Sequence, residues 1–216
     1  MIMREEIVMT RAKFISNELD KMFPNPNCEL NFRSPFELLV AVILSAQCTD
    51  KRVNLVTNEL FKKYRTPQDF VDIPLEELEK LIHSCGFYHN KALNIKKMAK
   101  DVIAKFGGEV PKTLEELTSL SGVGRKTANV VIAEAFGGDA IAVDTHVLRT
   151  ANRLGIVKSD DPFKVEKALM ASFPKERWST LHFQMVLFGR YKCKAQRPEC
   201  KGCPFVTFCK EEKKNL

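Results

Sequence analysis

Apolar residues recur at helical spacing through almost the whole chain, and this periodicity constrains the fold more than any other feature. Strand-like alternation is missing, and the apolar run FELLVAVILSA at 36–46 is too long and too rich in Ala and Leu for a strand. Prolines and glycines separate the periodic segments. The pattern predicts an all-α protein with helices near 5–23, 35–46, 51–64, 67–71, 75–84, 90–106, 113–120, 125–136, 144–154, 162–173 and 178–189.

The composition sets limits on the partners of the chain. Its 216 residues are enough for one substantial core or two small lobes. A formal net charge of +7 favours an anionic partner, although an excess of this size is also found in basic enzymes that bind no nucleic acid. No apolar run reaches the length of a membrane span, and the N-terminal residues lack a secretion signal. We therefore expect no membrane partner and a cytoplasmic location, nucleoid-associated if the source is bacterial.

Four of the seven cysteines are clustered near the C-terminus with the spacing C-x₆-C-x₂-C-x₅-C. In a reducing compartment such a cluster indicates metal binding rather than disulfides. Four thiolates suit either zinc or a [4Fe–4S] cluster, and the presence of only one short C-x₂-C hook favours the cluster. The four candidate ligands are Cys193, Cys200, Cys203 and Cys209. The scattered Cys28, Cys48 and Cys85 are expected to be small buried apolar residues.

The segment SGVGRKTA at 121–128 combines a glycine-rich turn with a lysine. Gly122 and Gly124 permit a tight turn with positive φ and leave backbone N–H groups uncovered for an anion. The start of the next helix adds partial positive charge, so a phosphate is expected to bind at this turn. The alternative is an ordinary turn between helices in which the glycines serve packing.

A weak internal repeat accompanies this turn. The segments GFYHNKA at 86–92 and GVGRKTA at 122–128 share G-x₄-[KT]-A, and each lies between two helical segments. The repeat favours two helix–turn–helix units of related design, with coincidence as the alternative.

Lys126 and Asp144 are the candidate reactive groups. A lysine nucleophile must lose its proton, and the neighbouring Arg125 and the positive helix start both disfavour a second charge. Asp144 opens another helical segment in AVDTHVLR at 142–149. It could be the N-cap of that helix or a carboxylate that handles protons.

Several of these segments resemble the endonuclease III family of DNA glycosylases. LSGVGRKTANVV at 120–131 is similar to its helix-hairpin-helix element, whose usual form is L-P-G-V-G-x-K-T-A. LSAQCTD at 44–50, VDTH at 143–146 and the cysteine spacing follow the family in the same order. Ser121 replaces the usual proline, which predicts a slightly less rigid turn.

The resemblance implies a base-excision-repair DNA glycosylase with AP lyase activity that removes oxidised pyrimidines, such as thymine glycol, from double-stranded damaged DNA. Lys126 would attack C1′ and form an imine, Asp144 would assist departure of the base, and β-elimination would cut the strand. A [4Fe–4S] cluster is implied at the four cysteines. A monofunctional adenine-glycosylase type would lack Lys126 and carry a further C-terminal recognition domain. A non-catalytic DNA-binding or redox module would need only the hairpin and the cysteines.

The resemblance also implies binding residues. Gln47 would enter the gap that the flipped base leaves, and Phe87 would act as a wedge where the family often has leucine. From composition alone, Gln47 would be a surface residue and Phe87 a core residue. The expected base pocket consists of Ser45, Asp50 and His146. Further DNA contacts are expected from Gly122, Gly124, Arg125, Thr127, Lys194 and Lys201.

A two-lobe organisation follows from the resemblance. Residues 28–138 would form a six-helix lobe with the hairpin, and residues 1–27 and 139–216 would form the iron–sulfur cluster lobe. DNA would bind in the cleft between the lobes, with Lys126 and Asp144 facing each other. The protein is expected to be a monomer.

Overall fold

The computed structural model describes the backbone of residues 2–216 and the side chains of residues 11–216. Within residues 2–216 it contains eleven α-helices and no strand, which confirms the all-α prediction. The helices are α1 Ile2–Met22, α2 Pro35–Ser45, α3 Asp50–Lys63, α4 Pro67–Asp72, α5 Leu75–Ile82, α6 Tyr88–Phe106, α7 Leu114–Thr118, α8 Arg125–Phe136, α9 Thr145–Arg153, α10 Pro162–Ser172 and α11 Trp178–Leu187. Short 3₁₀ helices occupy His83–Cys85 and Lys175–Arg177, and a π-helical segment, Phe188–Lys192, follows α11.

The chain divides into two compact units. Residues 28–137 form the first, here called the central unit, which contains α2 to α8. Residues 1–27 and 138–216 form the second, here called the terminal unit, with α1 and α9 to α11. None of the helices in the described part of the chain has the combined length and apolarity that crossing a membrane requires.

Helix α2 lies at the centre of the central unit. It begins at Pro35, and the side chain of Ser34 caps it by accepting a hydrogen bond from the backbone N–H of Glu37 at 3.1 Å. Every residue from Phe36 to Leu44 is buried, so the helix is covered on all sides by α3, α6 and α8 among others. Its continuous apolar run is therefore a buried helix, as the sequence predicted.

The terminal unit has a separate apolar core. Ile15 and Leu19 of α1 are completely buried there, together with Val147 of α9. Phe205, which lies in the cysteine loop, is also completely buried, and its ring packs edge-on against Phe188 with 5.3 Å between centroids. Core packing by Phe205 thus anchors the cysteine loop to the helices of this unit.

Truncation of Phe70 in α4 should strongly destabilise the central unit. The Phe70 side chain is completely buried and packs edge-on against Phe36 at 5.5 Å between centroids. Phe70→Ala should lower the free energy of unfolding by about 3–5 kcal/mol, because it removes apolar contacts and leaves a cavity. Leu55→Ala, at a side chain 56% exposed, should change it by less than about 0.5 kcal/mol. Urea denaturation followed by circular dichroism measures both, and equal losses would contradict the packing described.

Candidate active site and cysteine loop

The glycine turn between α7 and α8 is held in place by Val123. This side chain is 5% exposed and belongs to the core of the central unit, whereas Gly122 and Gly124 on either side of it are exposed. Gly122 has a φ of +76°, and a Cβ added there would lie 2.8 Å from Cβ of Asn94. Glycine is therefore required at position 122 both by backbone conformation and by close packing.

Gly124 differs from the prediction in its backbone conformation. Its φ is −88°, so only Gly122 of the two glycines adopts a positive φ. Gly124 is the N-cap residue of α8, no side chain caps this helix start, and a Cβ at Gly124 would meet no atom within 4 Å. The missing side chain therefore leaves the start of α8 open to an approaching group rather than relieving backbone strain.

Ser121 is fixed by hydrogen bonds that the usual proline could not make. Its backbone N–H and its hydroxyl both donate to Oδ2 of Asp101 in α6, at 2.9 and 2.7 Å. Burial opposes ionisation of Asp101, but these bonds and the charge of Lys105 outweigh it and lower the pKa of the carboxyl. These two bonds restrain the turn at Ser121, and the prediction of a less rigid turn did not take them into account.

The candidate nucleophile lies in the first turn of α8. Lys126 and Arg125 are exposed, and Thr127 is half-buried. The following Ala128 and Asn129 are buried, so the lysine is on the solvent-facing side of a helix whose other side packs in the core. The amine of Lys126 is therefore carried on a firmly packed helix start.

Asp144 is the N-cap of α9 in the terminal unit. Its Oδ1 accepts a hydrogen bond from the backbone N–H of Val147 at 2.8 Å, and its side chain is half-buried. The structure therefore establishes the capping role that the sequence left open. Capping occupies one carboxylate oxygen and is compatible with a chemical role for the other, because an ionised carboxylate has about four acceptor sites.

His146 is held against the π-helical segment by close packing. A Cβ on Gly189 would lie 2.8 Å from Cβ of His146, so only glycine lets the two elements approach this closely. The guanidinium of Arg149 adds a hydrogen bond to the Gly189 carbonyl at 2.8 Å and another to the Cys193 carbonyl at 3.1 Å. Sequence analysis did not identify Arg149, because a single arginine carries no periodic or spacing signal of its role.

Both predicted intercalating residues adopt left-handed backbone conformations. Gln47 has a φ of 54° and Phe87 a φ of 48°, and they are two of only three non-glycine residues with positive φ among residues 2–216. Phe87 is 65% exposed, which excludes the interpretation that it is a core residue, and Gln47 is exposed as well. Such strained conformations cluster at functional sites.

The predicted base-pocket residues of the central unit lie at the two helix ends that flank Gln47. The hydroxyl of Ser45, the last residue of α2, donates to the Val42 carbonyl at 2.8 Å. Asp50 is the first residue of α3 and is half-buried. These two residues therefore share one surface loop with Gln47, whereas His146 belongs to the terminal unit.

All four clustered cysteines line one common recess. Burial raises the pKa of the Cys203 thiol, and charge on any of the other three clustered sulfurs raises it further. Four thiolates that repel one another in this way match the charge requirement of an iron–sulfur cluster, whose cations offset the repulsion. Among residues 11–216, no three His, Cys, Asp or Glu groups are arranged as a single-ion site.

Arg153 at the end of α9 holds the start of the cysteine loop. One nitrogen of its guanidinium donates to the Lys194 carbonyl at 2.7 Å and lies 3.4 Å from Sγ of Cys193, and Nε forms an ion pair with Glu211 at 2.5 Å. Like Arg149, Arg153 was not identified from the sequence. Burial raises the pKa of the Cys193 thiol, and the hydrogen bond and charge of Arg153 act in the opposite direction, toward the thiolate that binds metal.

The two basic residues predicted to contact DNA from this loop differ in their surroundings. Lys194 forms an exposed ion pair with Glu199 at 2.7 Å, and Glu199 also pairs with Lys192 at 3.1 Å. Lys201 is exposed. Exposed pairs contribute about 0–1 kcal/mol, so the pairing leaves Lys194 able to exchange its partner for a phosphate.

Comparisons with known proteins agree with this architecture. The family described as "HhH-GPD superfamily base excision DNA repair protein" matches residues 40–175. Endonuclease III of Bacillus subtilis (strain 168) is 53% identical over 207 residues, which cover 95% of this chain and 94% of that protein. A solved non-covalent endonuclease III–DNA complex is 55% identical, with a TM-score of 0.91 and coverage of 94% and 95%. A trapped endonuclease III–DNA covalent intermediate, an estranged-adenine complex, has the same identity and TM-score over 94% and 96%.

The chain belongs to the HhH-GPD superfamily of base excision DNA repair proteins. Its similarity to endonuclease III extends over nearly its full length, in sequence and in fold. The comparisons confirm the predicted activity, that of a DNA glycosylase with AP lyase activity in base excision repair.

Substitution of each turn glycine should show which of them the backbone requires. Gly122 is required by its conformation, whereas Gly124 only leaves space at the helix start. Gly122→Ala should lower the free energy of unfolding by about 1–3 kcal/mol, because the positive φ and the contact with Asn94 both oppose a side chain. Gly124→Ala should change it by less than about 0.5 kcal/mol, since its φ is ordinary and its surroundings are open. Urea denaturation measures both variants, and an equal loss in Gly124→Ala would refute the distinction.

Proposed function

We propose that Lys126 and Asp144 are the catalytic residues and that the substrate is duplex DNA containing an oxidised pyrimidine of the thymine glycol type. The observation that carries the assignment is the position of Lys126. Its exposed amine stands in the first turn of α8, directly after a helix start that no side chain caps. The family and the trapped covalent intermediate of a similar protein support a nucleophilic group.

The reaction proceeds through a Schiff base. The amine of Lys126 attacks C1′ of the damaged nucleotide, and the bond from C1′ to the base breaks with its electron pair passing to the base. Opening of the sugar ring gives an imine between C1′ and the lysine. Removal of a proton from C2′ then expels the 3′ phosphate by β-elimination and cuts the strand. Asp144 assists departure of the base and accepts protons, with Oδ1 held by the α9 backbone.

The backbone around the turn binds the DNA strand. The start of α8, which no side chain caps, and the partial positive charge of the helix favour a phosphate against Gly122, Gly124 and the following residues. Arg125 and Thr127 flank this position, and Lys194 and Lys201 add salt-dependent contacts from the cysteine loop. These contacts position the duplex without reading its sequence.

Gln47 and Phe87 fill the space that the extruded base leaves. Both are exposed and both hold a conformation that costs free energy, so each side chain is presented outward by its turn. The Phe87 ring stacks on bases as an apolar wedge. Ser45, Asp50 and His146 contact the flipped base.

The four clustered cysteines hold a [4Fe–4S] cluster. Their common recess and the guanidinium beside Cys193 fit this group. The cluster carries a charge of about −2, and its role is to fix the loop and the basic residues around it. The protein acts as a monomer, and its cytoplasmic location stays a prediction.

Borohydride trapping tests the catalytic pair. Protein with its cluster, mixed with duplex DNA that contains thymine glycol and treated with borohydride, should give a covalent adduct. Lys126→Gln should give none, because no amine is left to form the imine. Asp144→Asn should slow base release by about 10²–10⁴-fold.

Loss of the helix cap must be distinguished from loss of the carboxylate in Asp144→Asn. Asparagine is as good an N-cap as aspartate, so Asp144→Asn should keep α9 intact. Asp161→Asn makes the same change at the N-cap of α10, where Asp161 accepts from Phe163 N at 2.9 Å, and should leave the rate unchanged. Free base without an adduct in the unmodified protein would instead assign a monofunctional mechanism and reduce Lys126 to a phosphate contact.

Removal of one clustered thiol tests the metal assignment. The purified protein should contain about four iron and four inorganic sulfide per chain. Cys203→Ala should lower both strongly, because the cluster loses one of its four ligands, and Cys28→Ala should lower neither. Elemental and sulfide analysis measures this. One zinc per chain with no sulfide would refute the cluster.

A further inference from the structure

A buried lysine contacts the backbone of both segments that carry the intercalating residues. Lys91 lies near the start of α6 in the central unit, and its side chain is 5% exposed. Burying an ammonium group is unfavourable unless strong acceptors replace the water that it loses. The proposed reaction gives this lysine no role, so the acceptors around its amine are the guide to what it does.

The amine of Lys91 joins two segments that are distant in sequence. It donates to the Leu44 carbonyl at 2.9 Å and to the Cys85 carbonyl at 2.8 Å. Leu44 is the second-to-last residue of α2, and the turn with Gln47 follows it. Cys85 ends the 3₁₀ helix that precedes the turn with Phe87. Hydrogen bonds from a charged donor are shorter and stronger than neutral ones, so one nitrogen fixes the two carbonyls relative to each other.

Both turns depend on support from outside their own residues. Gln47 and Phe87 have positive φ, a conformation that is unfavourable for residues with a side chain and persists only where the surrounding structure determines it. Phe87 is also the N-cap of α6, and no side chain caps that helix start. The backbone N–H of Lys91 donates to the Phe87 carbonyl at 3.0 Å. Lys91 therefore holds the Phe87 turn through its main chain and joins it to the Gln47 turn through its side chain.

We propose that Lys91 is a positioning residue for base extrusion, which sets the separation of Gln47 and Phe87 by binding the Leu44 and Cys85 carbonyls. The inference rests on the proposed function, in which these two side chains fill the gap that the extruded base leaves. Because the lysine is buried, it acts through the two turns rather than by contact with DNA. A gap of fixed size in the duplex is filled only when both side chains are held at the matching distance.

Lys96 of the same helix provides a matched control. Its amine donates to the Phe70 carbonyl at 3.2 Å and to the Val71 carbonyl at 2.9 Å, and it also contacts the Ile73 carbonyl. These acceptors lie at the end of α4, away from both intercalating turns. Lys96→Met and Lys91→Met therefore remove the same type of contact from α6. Both should lower the stability of the central unit, so stability alone does not identify a positioning role.

Two reactions of one protein separate positioning from stability. Base release from duplex DNA with thymine glycol is measured in a single turnover, at a temperature where circular dichroism shows each variant folded. Lys91→Met should slow it about tenfold, because the two side chains no longer enter the gap together. Strand cleavage at a preformed abasic site should change by less than about twofold, because no base has to be extruded. Lys96→Met should change either rate by less than about twofold.

Three results would overturn the positioning role. The first is base release by Lys91→Met at the rate of the unmodified protein. The second is an equal loss of both reactions in Lys91→Met, which would mean that the substitution disturbs the whole unit. The third is an equal loss of base release in Lys96→Met.

Fluorescence of 2-aminopurine measures gap filling without any chemistry. The probe is placed opposite a tetrahydrofuran abasic analogue, which has no base to lose and is not cleaved, and protein is added to saturation. The unmodified protein and Lys96→Met should raise the fluorescence, because side chains in the gap unstack the opposite base. Gln47→Ala, Phe87→Ala and Lys91→Met should each lose most of this rise.

The fluorescence also distinguishes failure of this inference from failure of the proposed substrate. A full rise with Lys91→Met would refute the positioning role. A rise that survives both Gln47→Ala and Phe87→Ala would refute the intercalating role and the inference with it. If the unmodified protein releases no thymine glycol but loses the rise on Lys91→Met, the proposed substrate is wrong and the role of Lys91 stands.

Discussion

Burial of α2 is the constraint on which the central unit depends. Because every residue of this helix from Phe36 to Leu44 is buried, other helices surround it, and α8 is one of those that pack against it. The position of α8 in turn sets the position of the glycine turn and of Lys126 at its start. The C-terminal end of the same buried helix carries other residues of the site, since Ser45 is its last residue and Gln47 follows. Hydrophobic packing of a buried helix thus determines where these polar groups lie.

The reactive groups are supported by backbone interactions more than by charged partners. Asp144 is oriented by an amide of its own helix, and Lys126 follows a turn that the buried Val123 and the hydrogen-bonded Ser121 hold in place. Support of this kind leaves the side-chain ends free to meet a substrate. The cysteine loop differs, because arginine side chains hold it through hydrogen bonds and the buried Phe205 anchors it by packing.

Elements that depend on local periodicity could be predicted from the sequence, and all eleven α-helices within residues 2–216 were. The exposed candidate residues could be predicted because a family motif identifies them. Contacts between distant segments could not. The acceptor that Asp101 offers to Ser121 and the burial of Lys91 depend on tertiary packing, which leaves no pattern in the sequence. Gly124 shows a subtler limit, because the residue type permits a positive φ without requiring it.

The interleaved sequence of the terminal unit has a consequence for the order of events on the ribosome. The central unit is continuous, so its core can close as soon as residues 28–137 have emerged. The core of the terminal unit joins Ile15 and Leu19 near the beginning of the chain to Phe205 near its end. The apolar residues of α1 therefore remain exposed during synthesis until the residues that complete this core, near the end of the chain, have been made. Nascent chains should consequently expose α1 to chaperones for most of translation, although the central unit is already folded.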